Sequence, residues 1–304
     1  MTERFYSNGK LLITGEYLVL DGAKAFALPT IYGQDLCVSE TTIPGIQWKS
    51  FDYKNEIWFE TQLTYAEIIS GGIKGNREIR NMLITILHGA YLQNATFVND
   101  LRNLLIETHL DFDRSWGLGT SSTLINNIAQ WTQTDAFKLL KTTFGGSGYD
   151  IAAAKAKSAI IYQISNGQPT FREVTFDVAF RKNLYFIHLN RKQDSNETIK
   201  TYKSKKVVST QIISAINNLT DQICTTHDFQ QFCSLLEQHE SIISEVLEVS
   251  TIKEQMFPDF DGTIKSLGGW GGDFILAAAI KNPSEYFKAK GYETIIPYQE
   301  MILE

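Results

Sequence analysis

A glycine-rich turn carrying three hydroxyl side chains lies near the middle of the sequence, at Gly117-Leu118-Gly119-Thr120-Ser121-Ser122. Residues 104–112 before it alternate apolar and polar side chains, as a half-buried strand does, and residues 122–131 after it carry apolar side chains at helical spacing. A glycine turn between a strand and a helix directs free backbone N–H groups and the positive end of the helix dipole at one point. The segment therefore predicts a site for a phosphate group.

Two other glycine-punctuated stretches frame this turn. Asn8-Gly9-Lys10 leads into Gly15-Glu16-Tyr17 near the start, and Gly268-Gly269-Trp270-Gly271-Gly272-Asp273 follows late in the chain. The central turn lacks the Gly-Lys-Ser/Thr ending of a Walker A loop, and by itself it also fits an ordinary strand–helix connection with a serine cap. The ordered set of three stretches, more than any one of them, favours nucleotide binding.

The composition and charge of the chain are typical of a soluble globular protein. Of its 304 residues, 43% are hydrophobic and 20% are charged, which allows a large buried core. The formal net charge of −6 argues against the basic surface needed for non-specific binding to nucleic acid or anionic membranes, but it is compatible with a local phosphate site. We therefore expect neither nucleic acid nor a membrane as partner. The sequence does not define the oligomeric state.

Cysteine usage and the start of the chain indicate the compartment. Cys37, Cys224 and Cys233 are odd in number and lack metal-ligand spacing, which favours reduced thiols, and the five histidines show no ligand spacing either. No apolar run follows Met1-Thr2-Glu3-Arg4, and none elsewhere is long enough to span a bilayer. These features predict a cytoplasmic protein.

The order of predicted elements indicates an α+β protein of two domains. An aromatic-rich hairpin at 46–62 and a helix at 77–92 belong to the first domain, whereas a strand at 183–190 opens a second unit with two long amphipathic helices. Lys10 to Leu20 predicts a strand, a turn at Gly15 and a second strand. This grouping predicts domains over residues 1–180 and 181–304.

The three stretches together resemble the motifs of the GHMP kinases, a superfamily that includes galactokinase, homoserine kinase, mevalonate kinase and phosphomevalonate kinase. The resemblance runs in order along nearly the whole chain. Its pattern is most like phosphomevalonate kinase, through Gly15-Glu16-Tyr17, through Gly146-Ser147-Gly148-Tyr149-Asp150 before an alanine run, and through Gly271-Gly272-Asp273. It implies a ribosomal-protein-S5-like N-terminal domain, a ferredoxin-like C-terminal domain and an active site in the cleft between them.

The resemblance also implies roles for individual residues. Gly117, Leu118, Gly119, Thr120, Ser121 and Ser122 would bind ATP, with the Ser121 hydroxyl as a ligand of Mg²⁺. Asp150 would accept the proton of the acceptor hydroxyl, and Lys10 would stabilise the developing charge. Read without the resemblance, Asp150 is a helix N-cap and Lys10 a solvated lysine at a strand end.

The residues that would contact the acceptor are less well defined. The resemblance assigns this role to Glu16, Tyr17, Ser147, Gly269 and Trp270, although Glu16 and Tyr17 also fit a turn carboxylate and a half-buried aromatic ring. Trp270 stands where the superfamily has a small residue, and we expect its indole to line the acceptor side of the cleft; the alternative is that it packs into an interface.

Two further stretches carry expectations about the acceptor. Residues 191–198 fit either a substrate-gating loop or a solvated turn. Lys265 and Ser266 stand where they could reach an anionic acceptor.

The pattern departs from mevalonate kinases at one metal position. Where those enzymes carry a metal-binding glutamate before the catalytic aspartate, the same offset here falls on Leu139. Phosphomevalonate kinases commonly lack this glutamate as well, so its absence favours a resemblance to them. It also leaves few protein ligands for Mg²⁺. The leading hypothesis is an ATP- and Mg²⁺-dependent kinase of phosphomevalonate or mevalonate in isoprenoid precursor synthesis. A diphosphomevalonate decarboxylase-like lyase and a non-catalytic nucleotide-binding relative are the alternatives.

Overall fold

The computed structural model describes residues 2–99, 102–191, 202, 208–270 and 272–304. Helices and strands alternate irregularly along the chain, as expected for an α+β protein. The chain divides into two compact units, each made of several segments. Unit 1 comprises Met1–Gly9, Tyr32–Arg114 and Gly119–Lys155, and unit 2 comprises Lys10–Ile31, Ser115–Leu118 and Ala156–Glu304. Because each unit is made of several separate segments, these units do not correspond to a single boundary, and the boundary at residue 180 stays a prediction.

Two long strands, β1 (Glu3–Thr14) and β2 (Ala25–Glu40), contribute residues to both units. The remaining elements of unit 1 are β3 (Ile46–Phe51), β4 (Ile57–Leu63), α1 (Tyr65–Ser70), α2 (Ile79–Gln93), α3 (Thr96–Asn99), β5 (Leu104–Leu110), α4 (Thr120–Thr132), α5 (Ala136–Thr143) and α6 (Tyr149–Lys155).

The strands of unit 1 lie in the order β4-β3-β5-β2. Strands β3 and β5 run parallel, whereas β2 pairs with β5 antiparallel, with Asp35 opposite His109. Alternate residues such as Trp48 and Ile106 are buried in one hydrophobic cluster with residues of α2, α4 and α5. The strict alternation along β5 explains why its period-2 pattern is readable in the sequence.

Unit 2 holds the rest of the chain. Its elements are β6 (Ile160–Ser165), β7 (Gln168–Glu173), β8 (Leu184–His188), α7 (Thr210–Thr225), α8 (Phe229–Leu247), α9 (Ile252–Met256), β9 (Thr263–Ser266), β10 (Phe274–Ala278), α10 (Ser284–Ala289), β11 (Ile295–Pro297) and α11 (Tyr298–Met301). Four of its strands form an antiparallel sheet in the order β11-β8-β10-β9. Helix α8 packs on α7 and on β9.

One local expectation was wrong. After β1 the chain does not enter a second strand but turns at Tyr17, whose φ is 61°, into a 3₁₀ helix over Leu18–Asp21. Apolar residues of this segment are buried in a hydrophobic cluster. A short buried run of apolar residues looks the same in the sequence whether it forms a strand or a tight turn. The helices in the described residues are all too short or too polar to cross a membrane.

Candidate functional site

The predicted nucleotide-binding turn leads into the N-terminus of α4 in unit 1. Gly119 precedes the helix with φ 94°, and its carbonyl accepts hydrogen bonds from the N–H groups of Ser122 and Thr123, both at 3.0 Å. Among the described residues, no side chain caps this end. The N–H groups of Thr120 and Ser121 lie in the first turn, where the helix itself offers no acceptor. The end of α4 can therefore bind an anion.

A buried hydrogen-bond network fixes the N-terminal half of α4 in unit 1. Thr123 Oγ1 donates to Gln34 Oε1 at 2.7 Å, and Asn127 Nδ2 donates to the Gln34 carbonyl at 2.8 Å. Ser7 Oγ donates to Asn127 Oδ1 at 2.7 Å and accepts from Asn126 Nδ2 at 2.9 Å. Buried networks of this kind resist displacement, because each broken bond leaves a desolvated polar group. The sequence gives no periodic signal for these polar residues on an otherwise apolar helix face.

Asp150 lies in the first turn of α6, also in unit 1. The helix begins at Tyr149, after Gly148 with φ 93°, so Asp150 lies inside the helix and not at its N-cap. The next residue, Ile151, is fully buried in the same hydrophobic cluster as Ile125 of α4. Asp150 itself is half-buried. Core packing of the neighbouring residue therefore fixes the backbone at Asp150. A side chain that must be held in one position needs such support.

Residues of all three glycine stretches meet in unit 2. The backbone N–H of Lys10 donates to the Leu118 carbonyl at 3.0 Å, and Lys10 Nζ donates to the Gly117 carbonyl at 2.9 Å. The carboxylate of Asp273 lies directly against Gly117, where a Cβ would stand 2.3 Å from Asp273 Cγ. Gly117 has φ 66°, a conformation that favours glycine. Lys10 is therefore not a lysine that extends freely into solvent.

Asp273 is a further candidate residue that was not among those predicted from the sequence. It closes the third glycine stretch and itself has φ 51°, a left-handed conformation that aspartate tolerates better than most side chains. Its backbone pairs with the residues that follow β8: its N–H donates to the Arg191 carbonyl and its carbonyl accepts from the Leu189 N–H, both at 2.8 Å. An acidic residue that ends a run of glycines was the available signal.

Glu16 belongs to a buried charged cluster in unit 2, which we call the Glu16 cluster: Glu16, His239, Glu240 and Lys265. Lys265 forms ion pairs with Glu16 and, at 3.1 Å, with Glu240 Oε2. Glu240 also accepts hydrogen bonds from the Ser266 N–H and, at 2.5 Å, from the Ser266 hydroxyl. The carboxylate of Glu16 and the ammonium of Lys265 thus have partners within the protein. Their predicted contact with an acceptor stays a prediction, and the geometry favours a structural role.

Burial controls the protonation of the Glu16 cluster. It raises the pKa of Glu16 to about 7, against the opposing effect of Lys265. Burial alone would lower the pKa of Lys265, but the two carboxylates raise it above its usual value. Burial and Lys265 together hold the pKa of His239 well below its usual range. The Gly15 N–H donates to His239 Nε2 at 3.0 Å, in keeping with a neutral imidazole.

Trp270 is packed inside unit 2. Its backbone N–H donates to Tyr17 Oη at 2.8 Å, and its indole Nε1 donates to the Ser250 carbonyl at 3.2 Å. The side chain, 7% exposed, shares a hydrophobic cluster with Tyr17, Ile216 and Leu247. This packing supports the structural alternative for Trp270 and Tyr17, while their role toward the acceptor stays a prediction.

The other predicted residues have simpler surroundings. Ser147 is half-buried just before α6, and Gly269 is buried in unit 2, where its carbonyl accepts from the Gly272 N–H at 3.3 Å. Ser121 is exposed on the first turn of α4, so its hydroxyl is accessible to a cation. Gly271 and residues 192–198 of the proposed gating loop lie outside the described residues.

Comparisons with known proteins find solved structures that share this fold. No protein-family model matches the sequence. No curated protein is similar to it in sequence either. Among solved structures, Methanococcus jannaschii mevalonate kinase superposes with a TM-score of 0.71 at 16% identity, over 100% of this chain and 98% of that one.

Two other solved structures are similar over almost the full length. Streptococcus pneumoniae phosphomevalonate kinase, in complex with phosphomevalonate and AMPPNP, has a TM-score of 0.67 at 14% identity, over 99% and 98% of the two chains. Lactococcus lactis galactokinase, complexed with galactose, has a TM-score of 0.69 at 12% identity, over 97% and 94%. The expected α+β architecture is confirmed: the chain has the fold of the GHMP kinases.

Proposed function

We propose that this protein is an ATP-dependent phosphotransferase. It transfers the γ-phosphate to a hydroxyl or phosphate group of a small anionic acceptor, with phosphomevalonate or mevalonate as the leading candidates, in isoprenoid precursor synthesis. The observation that carries the proposal is the meeting of Lys10, Gly117 and Asp273, one from each glycine stretch, within a fold shared with known kinases.

Binding of the ATP phosphates is assigned to the glycine turn and the start of α4. The N–H groups of the first turn have no side-chain cap among the described residues, and the helix dipole adds positive potential there. The network of Ser7, Gln34 and Asn127 holds the helix in place, so these donors need no rearrangement when phosphate binds.

Charge balance at the glycine turn is assigned to Lys10. Its Nζ is held 2.9 Å from the Gly117 carbonyl, which keeps one positive charge beside the turn. A fixed cation there would stabilise the negative charge that spreads over the transferred group. Asp273, against Gly117, brings a carboxylate to the same turn, the type of ligand that Mg²⁺ prefers.

Proton transfer is assigned to Asp150. A carboxylate on the first turn of a core-packed helix can accept the proton of an acceptor hydroxyl as the hydroxyl attacks phosphorus. Asp150 belongs to unit 1 and Lys10 to unit 2, and each role is proposed for that residue by itself.

The donor groups present fit Mg²⁺ only sparsely. Ser121 offers an exposed hydroxyl on α4, and we assign it as a ligand. When bound with ATP, Mg²⁺ would neutralise part of the phosphate charge, with water and phosphate oxygens as further ligands.

The fold by itself does not determine the acceptor. Solved structures with this fold include kinases with phosphomevalonate, R-mevalonate or galactose bound, so the fold is compatible with chemically different acceptors. Specificity must therefore come from side chains that differ among them.

The test is ADP release by the purified protein with Mg·ATP and a panel of mevalonate, phosphomevalonate, homoserine and galactose. We expect acceptor-dependent ADP release with one of the first two compounds. ADP release with none of the four, together with a thermal shift by ATP, would favour a non-catalytic relative. Release of CO₂ from diphosphomevalonate would favour the lyase.

A thermal-shift assay locates the nucleotide independently of turnover. Mg·ATP should raise Tm through linkage, and Gly119→Val should abolish this rise, because a side chain there blocks the approach of phosphate to the backbone. Gly75→Val is the matched control: Gly75 also has positive φ, 85°, and no heavy atom of the described residues lies within 4 Å of a Cβ there. A retained shift in Gly119→Val places ATP elsewhere.

A further inference from the structure

Three side chains with metal-binding atoms lie together on one face of the unit 1 sheet. Asp35 and His109 are directly opposite each other in the antiparallel pairing of β2 with β5, and Cys37 is two residues along β2 from Asp35. Residues paired across strands, and residues two apart on one strand, project from the same face. A carboxylate, a thiol and an imidazole are thereby brought to one point, although their spacing in the sequence shows nothing of it.

The atoms of this group are close enough for one ion. One ligand atom from each of the three residues can be chosen so that all lie within 4.8 Å of one another. His109 Nδ1 lies 2.8 Å from Asp35 Oδ1, and Cys37 Sγ lies 3.9 Å from Asp35 Oδ2. Ligands of tetrahedral zinc are roughly 3.3–3.8 Å apart, given bonds of about 2.0–2.3 Å. Small side-chain rotations would produce that spacing.

The surroundings fix the ligands and leave one side open. Asp35 is 7% exposed, whereas Cys37 and His109 are half-buried. The His109 ring stacks on Phe51 with centroids 4.7 Å apart, which orients the imidazole without using its nitrogens. Glu107 is paired with Cys37 on the same face and adds a further negative charge. The arrangement resembles three protein ligands around a position that water can complete.

Arg4 now supplies the positive charge beside Asp35. Its Nε and Nη2 both lie 3.0 Å from Asp35 Oδ2. The Arg4 side chain is 67% exposed, so this contact is worth little and can open. A divalent cation would replace the single positive charge of Arg4 at the buried carboxylate of Asp35.

We propose that Asp35, Cys37 and His109 form a site for a divalent cation of the zinc class, with water as the fourth ligand. Sulfur, imidazole nitrogen and carboxylate oxygen together suit Zn²⁺ better than Mg²⁺, which prefers oxygen alone. None of the three residues belongs to the glycine stretches, so the site stands independently of the kinase proposal.

The experiment is a titration of the reduced, metal-free protein with Co²⁺ followed by absorption spectroscopy, with Zn²⁺ as competitor. We expect one Co²⁺ per chain and a thiolate-to-cobalt charge-transfer band that Zn²⁺ removes. Cys37→Ser should abolish the band, whereas the double variant Cys224→Ser, Cys233→Ser should retain it. A missing band in the wild type, or an unchanged band in Cys37→Ser, would overturn the proposal.

Two more variants separate a metal site from a simple charge network. His109→Gln should weaken Zn²⁺ binding by more than about 100-fold. Loss of a residue that only hydrogen-bonds to a metal ligand costs roughly 10- to 100-fold. Arg4→Ala should tighten binding, because it removes the competing cation; weaker binding in Arg4→Ala would count against the site. Circular dichroism checks that each variant is folded. In the wild type, bound Zn²⁺ should also protect the Cys37 thiol from an alkylating reagent, and this measurement needs no variant.

Discussion

Lys265 and Glu16 form an ion pair inside unit 2, with neither side chain exposing more than 1% of its surface. Glu240 Oε2 lies 3.1 Å from the same ammonium, so two carboxylates share one cation. One positive charge cannot neutralise both, and a proton on Glu16 makes the group neutral overall. Burial raises the pKa of Glu16 to about 7 against the effect of Lys265, and the charge of Glu240 adds a smaller upward shift. The two carboxylates raise the pKa of Lys265.

Removing the shared cation should destabilise the protein severely. Lys265→Met leaves Glu16 and Glu240 buried without a counter-charge, and breaking a buried pair costs about 3–5 kcal/mol. Urea unfolding measures the change. Lys157→Met, at an exposed lysine, is the control and should stay within about 0.5 kcal/mol of the wild type. A loss below about 1 kcal/mol in Lys265→Met would show that the carboxylates find other partners.

The raised pKa of Glu16 makes a prediction about pH. Between about pH 4.5 and 7 the folded protein holds a proton on Glu16 that the unfolded chain has released, so this carboxyl lowers the free energy of unfolding as pH rises. Relative to Glu16→Gln, which cannot titrate, the wild type should lose stability across that window by at most about 1.4 kcal/mol per pH unit. The contribution of neutral His239 is present in both proteins and cancels. Parallel pH profiles would contradict the protonation argument.

The sequence predicted the helices well and the polar clusters poorly. For helix α8, the aspartate at 228 and the regular apolar stripe that follows predict a helix over 229–247, and the structure has the helix at Phe229–Leu247. The partners of Glu16, by contrast, are about 220 to 250 residues away in the chain. No local sequence pattern predicts these ion pairs, because they depend on which strands and helices pack together in the fold.

The contact between Gly117 and Asp273 should be sensitive to a single methyl group. Gly117→Ala puts a Cβ 2.3 Å from Asp273 Cγ at φ 66°, so it combines a clash with backbone strain. Gly145→Ala is the control, with φ 70° but no heavy atom of the described residues within 4 Å. Thermal unfolding should show the Gly117 variant less stable than the control by about 1–3 kcal/mol.

A double variant isolates the cause of that difference. Adding Asp273→Ala to Gly117→Ala removes the clash, so part of the lost stability should return as a coupling energy. Equal losses in Gly117→Ala and Gly145→Ala, with no recovery in the double variant, would mean that the loop moves freely away from Asp273.

The role of Asp150 can be separated from that of an ordinary helix aspartate. If it accepts the acceptor proton, Asp150→Asn should lower kcat by roughly 10²- to 10⁴-fold and leave ATP affinity within a few-fold. Asp135→Asn is the matched control, because Asp135 is a true N-cap whose carboxylate accepts from the Phe137 and Lys138 N–H groups. Asn caps about as well as Asp, so that variant should keep normal turnover. Normal turnover in Asp150→Asn would remove this residue from the mechanism.

Trp270 is where the structure most changes the expectation from sequence. An indole in a glycine run suggested contact with the acceptor, yet the side chain packs beside Tyr17 and Ile216 and its Nε1 has a backbone partner. We therefore expect Trp270→Ala to lower stability by about 3–5 kcal/mol. Trp270→Phe keeps most of the packing, loses the bond to Ser250 and should cost less. Acceptor profiles of both variants, measured at a temperature where each is folded, complete the test. A stable Trp270→Ala protein with a broadened acceptor range would support the acceptor-lining role.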